Sequence, residues 1–296
     1  MRLLSRLLIV PLLLVVLATF LYATFKTRNP IHDIWDQYDV PSFVVHMLHP
    51  KPDVLTKYPP SGIADDKIIV MAKTIREDTS WVEADLWDWQ SAIYTVDAND
   101  AELALTETLA TPANKGHEAM AYLTYVIDNY ERLPGIITFI HPHRDGFFSS
   151  WHTDNALHSN VDALRDLNMS FVQSQGYVNL RCNWNPGCRE SDRDNQHVTA
   201  EIWADVFQGT STPQSVASYP GQVAQTCCAQ FAVSKDAVRK RPKADYERLR
   251  EWLLTTEMTD RKSGRVLEFL WQFIFGGNAV FCPNEARCYC DVYGRC

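Results

Sequence analysis

Hydrophobic and polar positions divide the chain into three regimes. From Leu7 to Phe25 the run "LLIVPLLLVVLATFLYATF" carries no charge and lies between Arg2 and Arg6 on one side and Lys26 and Arg28 on the other. Residues 26–62 then hold "NP", "VP", "HP", "KP" and "YPPSG". Each proline pushes its predecessor toward extended geometry, so this stretch reads as a stem or wrapping arm rather than a helix. From Lys67 onward short apolar runs alternate with segments whose apolar residues recur at helical spacing.

The third regime predicts a series of elements. "KIIVMAKT" (Lys67–Thr74) and "SAIYTVDA" (Ser91–Ala98) read as strands, separated by "WVEADLWDWQ" with Trp81, Leu86 and Trp89 at roughly helical spacing. His117–Leu133 is an expected helix with Met120, Leu123, Val126, Ile127 and Tyr130 on its apolar side, and "GIITFIH" after it is a third strand. Asn160–Asn168 reads as a short helix opened by a capping residue. Cys227–Pro242 reads as a strand followed by a helix with Ser234 as N-cap, and Asp245–Glu257 and Ser263–Gly276 as two further helices. Alternation of this kind implies an α/β sandwich with a largely parallel sheet, in which ligands bind at the carboxyl ends of the strands.

Nineteen helical residues at about 1.5 Å each nearly cross a hydrocarbon core of about 30 Å, so residues 7–25 are expected to be a transmembrane anchor behind a short tail, 1–6. A cleaved signal peptide is the competing reading, although Ala18 and Ala23 make a poor exit site. Charge flanks both ends, so the orientation rule does not decide. Residues 26–66 form the expected stem and 67–296 one catalytic-type domain. The chain has 296 residues, 46% of them apolar and 22% charged, which leaves room for one large core. A net charge of −8 argues against a nucleic-acid partner and leaves a small molecule or sugar as the expected one.

All eight cysteines lie beyond position 181: Cys182, Cys188, Cys227, Cys228, Cys282, Cys288, Cys290 and Cys296. Downstream of an export segment this reads as disulfides in an oxidising lumen, with zinc as the rival reading of the dense tail. Cys182–Cys188, around the turn-rich "NWNPG", is the expected local bridge, and the four tail cysteines allow three pairings among themselves. Asn168-Met169-Ser170 is the glycosylation sequon, and together these features predict a single-pass type II protein of the secretory pathway.

The chemistry concentrates in "HPHRDGFFSSWHTD", directly after the third strand. His141 and His143 lie one residue apart, so an extended strand end would point both the same way. Two imidazoles suit a divalent metal, with Asp145 or Asp154 as carboxylate and His152 as a further ligand or base. Alternatively His141 or His143 is a general base and Arg144 clamps phosphate or carboxylate. A structural cluster is the bland reading. Gly116-His117-Glu118 opens a helix whose free amides favour an anion; the alternative reading of Glu118 is a simple first-turn carboxylate that satisfies the dipole. Arg76 and Glu77 follow the first strand, where a polar substrate would sit. Asp192-Arg193-Asp194 reads as a solvated loop, Trp151 as an aromatic that could stack on a sugar, and Glu268 as a costly carboxylate in an apolar helix.

"NKGHEAMAYLTYVIDNYERLP", "FIHPHRD", "GYVNLRCNWNPGC", "CCAQFAVS", "SGRVLEFLWQFIFG" and "CYCDVYGRC" together resemble a fungal family known as domain of unknown function 3431, over roughly residues 67–296. A second resemblance, carried by "REDTSW", "IYT", the glycine and glutamate opening a Tyr-rich helix and the His-and-Arg loop, is to GT-A glycosyltransferases. That resemblance implies a nucleotide sugar over the early strand ends, a metal at a mid-domain strand end, and a helix-borne base for which Glu268 is the candidate. The Asp-x-Asp expected after the mid-domain strand is replaced by His141-Pro142-His143-Arg144-Asp145, which puts metal dependence in doubt. The resulting expectation is a membrane-anchored lumenal sugar transferase of GT-A/Rossmann-like fold. The alternatives are a metal-dependent tailoring enzyme of a fungal secondary-metabolite pathway and a non-catalytic anchored binding module.

Overall fold

The computed structural model describes residues 30–38, 40–41, 44, 66–98, 108–193, 197–211 and 218–296. The expected anchor, 7–25, and most of the stem lie outside the described residues; among those described, no helix is long and apolar enough to cross a membrane. Part of the stem is helical, contrary to expectation: α1 runs Pro30–Gln37. Pro30 is the reason, because at the first helical position proline already has the required φ and its missing N–H removes nothing.

Six strands form the main sheet: β1 (Lys67–Lys73), β2 (Gln90–Thr95), β3 (Leu109–Ala110), β4 (Ile136–Ile140), β5 (Tyr177–Asn179) and β7 (Phe231–Ser234), in the order β3-β2-β1-β4-β7-β5. β6 (Ala224–Gln225) and β8 (Val280–Phe281) pair separately. β3, β2, β1 and β4 pair in parallel, whereas β7 runs antiparallel to both β4 and β5. The sheet is therefore mixed, which corrects the expected largely parallel one. Direction was hidden because "FAVS" is buried throughout, and a continuous apolar strand carries no sign of which way it runs.

Alternation across the sheet builds two cores. Ile68, Val70, Ile137, Phe139, Phe231 and Val233 face one, and Ile69, Met71, Ile136, Ile140 and Ala232 face the other. The first face is covered by α3 (Ala119–Asn129), α7 (Ala200–Val206), α8 (Lys235–Arg239), α9 (Lys243–Thr255), α10 (Asp260–Glu268) and α11 (Trp271–Ile274). The second is covered by α2 (Ser80–Asp85), α4 (Asn160–Asp166), α5 (Met169–Gln175) and α12 (Glu285–Tyr293); α6 (Glu190–Arg193) is a single turn. Burial on both faces is why the central strands read as unbroken apolar runs. Ser234 caps α8 as expected, accepting from Ala237 N–H. The helix expected over Ser263–Gly276 is instead two, broken between Glu268 and Trp271.

The cysteines pair Cys182–Cys288, Cys188–Cys282, Cys227–Cys228 and Cys290–Cys296. This overturns the local Cys182–Cys188 bridge and the purely internal pairing of the tail. Both Cys182 and Cys188 are fully buried against the returning C-terminal segment, so they close loops of 106 and 94 residues. Closures of that size are worth about 4–5 kcal/mol in the chain-entropy account.

Candidate functional site

The strand order reverses between β1 and β4: β2 lies on one side of β1 and β4 on the other, as at the switch point of open α/β sheets. The segments leaving the carboxyl ends of these two strands define the site. After β1, Glu77 Oε2 accepts from Thr74 N–H (2.6 Å) and Thr74 Oγ1 (2.9 Å), closing the turn. This points Glu77 Oε1 toward His143 Nε2, 3.7 Å away. Trp81 Nε1 donates to Pro142 O (3.0 Å), tying the two segments together. Arg76 is exposed on the same turn.

After β4 the histidine loop hangs on three polar residues that the sequence reading did not single out. His141 N–H donates to Gln230 Oε1 (2.9 Å), Gln230 Nε2 to Thr153 Oγ1 (3.2 Å), Thr153 Oγ1 to Asn160 Oδ1 (2.8 Å), and Asn160 Nδ2 to His143 O (2.7 Å). All three are buried, and a buried amide flanking a catalytic-looking loop is a signal visible only once the fold brings 153, 160 and 230 together. Within this frame His141 Nδ1 and His152 Nε2 are 2.9 Å apart and share one proton. His141 Nε2 and His152 Nδ1 are buried and find no protein partner among the described residues. Burial, and then the charge of His143 and His117, pulls the His141 pKa down to about 4, and burial lowers His152 as well. Both rings are neutral at physiological pH.

The other members of the expected cluster are engaged elsewhere. Asp154 accepts from Cys182 N–H (2.6 Å), Asn183 N–H (2.8 Å) and Tyr289 OH (3.2 Å), and pairs with Arg181 Nη1 at 3.0 Å. Arg144 pairs with Asp85 (2.8 Å) and with Asp145 on the surface. Trp151 packs against the Tyr38 ring, 5.1 Å away, and carries the Arg181 guanidinium over its own ring at 5.2 Å. His158 is buried at φ +52° with Nδ1 on Thr153 O. Asn168 is exposed and caps α5, accepting from Phe171 N–H. Asp192 closes a turn through Gly187 N–H and Arg189, as a structural loop would, while Asp194 lies outside the described residues.

A second cluster lies beside the first. Gly116 has φ +69°, a conformation that favours glycine, and lies against α9, where a Cβ would meet Leu253 Cδ1 at 2.5 Å. Gly264 on α10 sits against the same loop: a Cβ there would meet His117 Cδ2 at 2.7 Å and Gly116 O at 3.0 Å. One helical turn after Gly264 comes Glu268, which this contact brings beside Glu118 at the start of α3. Glu118 is half-buried with its carboxyl enclosed; burial first, then the Glu268 charge, pushes its pKa up to about 8. Glu268 is also raised by burial, but Arg265 Nη1 and Cys228 N–H, each 2.8 Å from Oε1, oppose the rise. Glu118 is therefore protonated at neutral pH and does not act as the ionised first-turn carboxylate that would satisfy the helix dipole.

The divalent metal expected here does not fit. Among the described residues the group of three or more ligand atoms within 4.8 Å of one another is Cys227, Cys228 and Glu268, and its two sulfurs are joined in a disulfide. His141, His143, His152 and Asp154 form no such group, because His152 Nε2 faces His141 and the Asp154 oxygens are occupied as above.

The model of the family described as protein of unknown function DUF3431 matches residues 69–291, which contain every side chain placed in the site above except Tyr38. The chain belongs to that family. No curated protein and no solved structure matches it. Membership assigns no chemistry, so the family's activity has to be argued from the site.

Proposed function

We propose that this protein is a membrane-anchored lumenal enzyme that transfers a sugar from a nucleotide-sugar donor. The observation that carries the reading is the convergence of protonatable groups and a helix N-terminus at the β1/β4 switch point. In open α/β sheets ligands, nucleotides among them, bind outside the carboxyl ends of the strands at such a point. The N-terminus of the eleven-residue α3 opens at the same end of the sheet, and its amides suit a diphosphate. Four disulfides with no free cysteine among the described residues support an oxidising compartment.

In this reading the acceptor hydroxyl gives its proton to Glu118 in its ionised form, a minority at neutral pH that a pKa of about 8 makes a strong base. Glu268, the candidate base on sequence grounds, instead tunes Glu118 by its charge. The acceptor oxygen bonds to the anomeric carbon as the bond from that carbon to the diphosphate oxygen breaks, and His143 and the α3 amides hold the departing charge. No step needs a metal.

The test is a thermal-shift and calorimetric screen of the full chain in detergent against uridine and guanosine diphosphates and their sugar esters, with and without divalent cations. Saturation at about 100 times Kd should stabilise the protein by about 2.7 kcal/mol. No response to any nucleotide would overturn the proposal.

A further inference from the structure

Cys227 and Cys228 are bonded to each other, and the turn they make is unusual: Cys228 has φ +96° and Ala229 φ +50°, both in the region that residues with a Cβ disfavour. A conformation of that kind persists only where its surroundings over-determine it, and such positions concentrate at sites. This turn delivers Cys228 N–H to Glu268 Oε1 at 2.8 Å, with Cys227 fully buried and Cys228 and Glu268 each 8% exposed. The preceding Gln225 also donates, from Nε2, to Glu268 O, so the segment grips both the side chain and the backbone of the end of α10. We propose that the Cys227–Cys228 ring is a positioning element: it locks the turn that holds Cys228 N–H on Glu268, and so keeps that carboxylate in register with Glu118.

The surroundings fit this role. Glu268 faces Arg265 from its own helix, Glu118 from the start of α3, and Cys228 N–H from the ring. His117 lies against Gly264 one turn earlier, His197 stacks on Phe269 (5.1 Å), and the Tyr122 hydroxyl is buried close to Glu118. Arg265 is 39% exposed in its side chain, whereas the amide of Cys228 approaches from the protein interior. An open pair would lose the fixed turn and with it the interior donor. A carboxylate that loses an N–H donor while staying buried becomes harder to ionise.

The inference rests on Glu118 and Glu268 being the proton-handling pair proposed above, and its test is read without nucleotide. Failure of donor binding and failure of this inference are thus separate results. The full chain, labelled with carboxyl-13C glutamate, is titrated by NMR, with E118Q and E268Q assigning the two resonances. Two opened forms are compared with the wild type. One is C227S/C228S. The other is wild type treated with a small dithiol, which breaks the Cys227–Cys228 bond, supplies two electrons and two protons to the sulfurs and closes its own disulfide; peptide mapping selects the conditions. In both, the Glu268 midpoint should move up by about one pH unit, while Glu118, raised in part by the Glu268 charge, should move down from about 8. Simple loosening would hydrate the site and move both midpoints down toward the ordinary 4.5. An unchanged or lowered Glu268 midpoint in either folded opened form overturns the proposal. So does free thiol at both positions in the untreated protein, or loss of the fold in both opened forms, which would make the ring a structural staple.

Discussion

Two polar clusters lie side by side around the loop after β4, one of them completed by Arg181 from beyond β5, and they are finished to different degrees. In the Asp154–Arg181 cluster the carboxylate has four donors, and Arg181 donates to Trp151 O, Gln37 O and Asn185 O as well, leaving Nε as its unmatched atom. In the His141–His152 pair both outer ring nitrogens are left over. A satisfied ion pair is what holds a fold together; a buried polar group without a partner is costly, and a ligand that supplies the partner removes the cost. The difference separates scaffold from candidate site within fourteen residues of chain.

The sharpest way to break this comparison is at Asp154. Asp154→Ala should destabilise the protein by about 3–5 kcal/mol, because it strands a fully buried guanidinium and releases the backbone turn at Cys182–Asn183. The loss is measured as a shift of the denaturant midpoint. A variant as stable as wild type would mean that Arg181 reaches water, and that the two clusters do not differ in the way described.

Much of this arrangement was legible beforehand, and the failures have physical causes. β1, β2, β4, α3, α4, α9 and the Ser234 cap follow from local periodicity and capping chemistry, which depend on neighbours in sequence. The direction of β7, the pairing of Cys182 with Cys288, and the embrace of Asp154 by Tyr289 depend on segments more than 90 residues apart. Nothing local encodes them. The histidine loop was found because residue types with chemical potential were crowded after a strand. Which of them were available was not readable, since availability depends on whether Arg181 or Asp85 arrives to occupy a partner.

The second comparison sets the two site groups against each other by pH. Glu118 binds its proton more tightly in the fold than the ordinary 4.5, holding it up to about 8, so its contribution to stability is complete below 4.5 and is lost as pH rises through 8. His141 is the reverse: its pKa is held down at about 4 against 6.5, so its contribution is present above 6.5 and disappears as pH falls through 4. Each slope should amount to about 1–4 kcal/mol across its window. Glu118→Gln should flatten the alkaline slope alone and His141→Gln the acid slope alone, followed as melting temperature against pH. If either variant flattens both limbs, the two groups titrate as one cluster and are not the separate neighbours described.

The smallest stability effect belongs to His143, and that is what makes it informative. Its side chain is 39% exposed, its Nε2 lies 3.7 Å from Glu77, and its backbone carbonyl rather than its ring carries the hydrogen bond from Asn160. Replacing the ring by a methyl group leaves that frame intact, so His143→Ala should change stability by no more than about 0.5 kcal/mol. In the proposed reaction the same ring steadies the departing diphosphate, so the variant should lose nucleotide binding tenfold or more while melting with the wild type. Calorimetry with uridine and guanosine diphosphates measures the first and thermal denaturation the second. Unchanged binding with an unchanged melt would remove His143 from the site and leave the α3 amides and Glu118 to carry it; a large drop in melting temperature would place His143 in the scaffold beside Asp154.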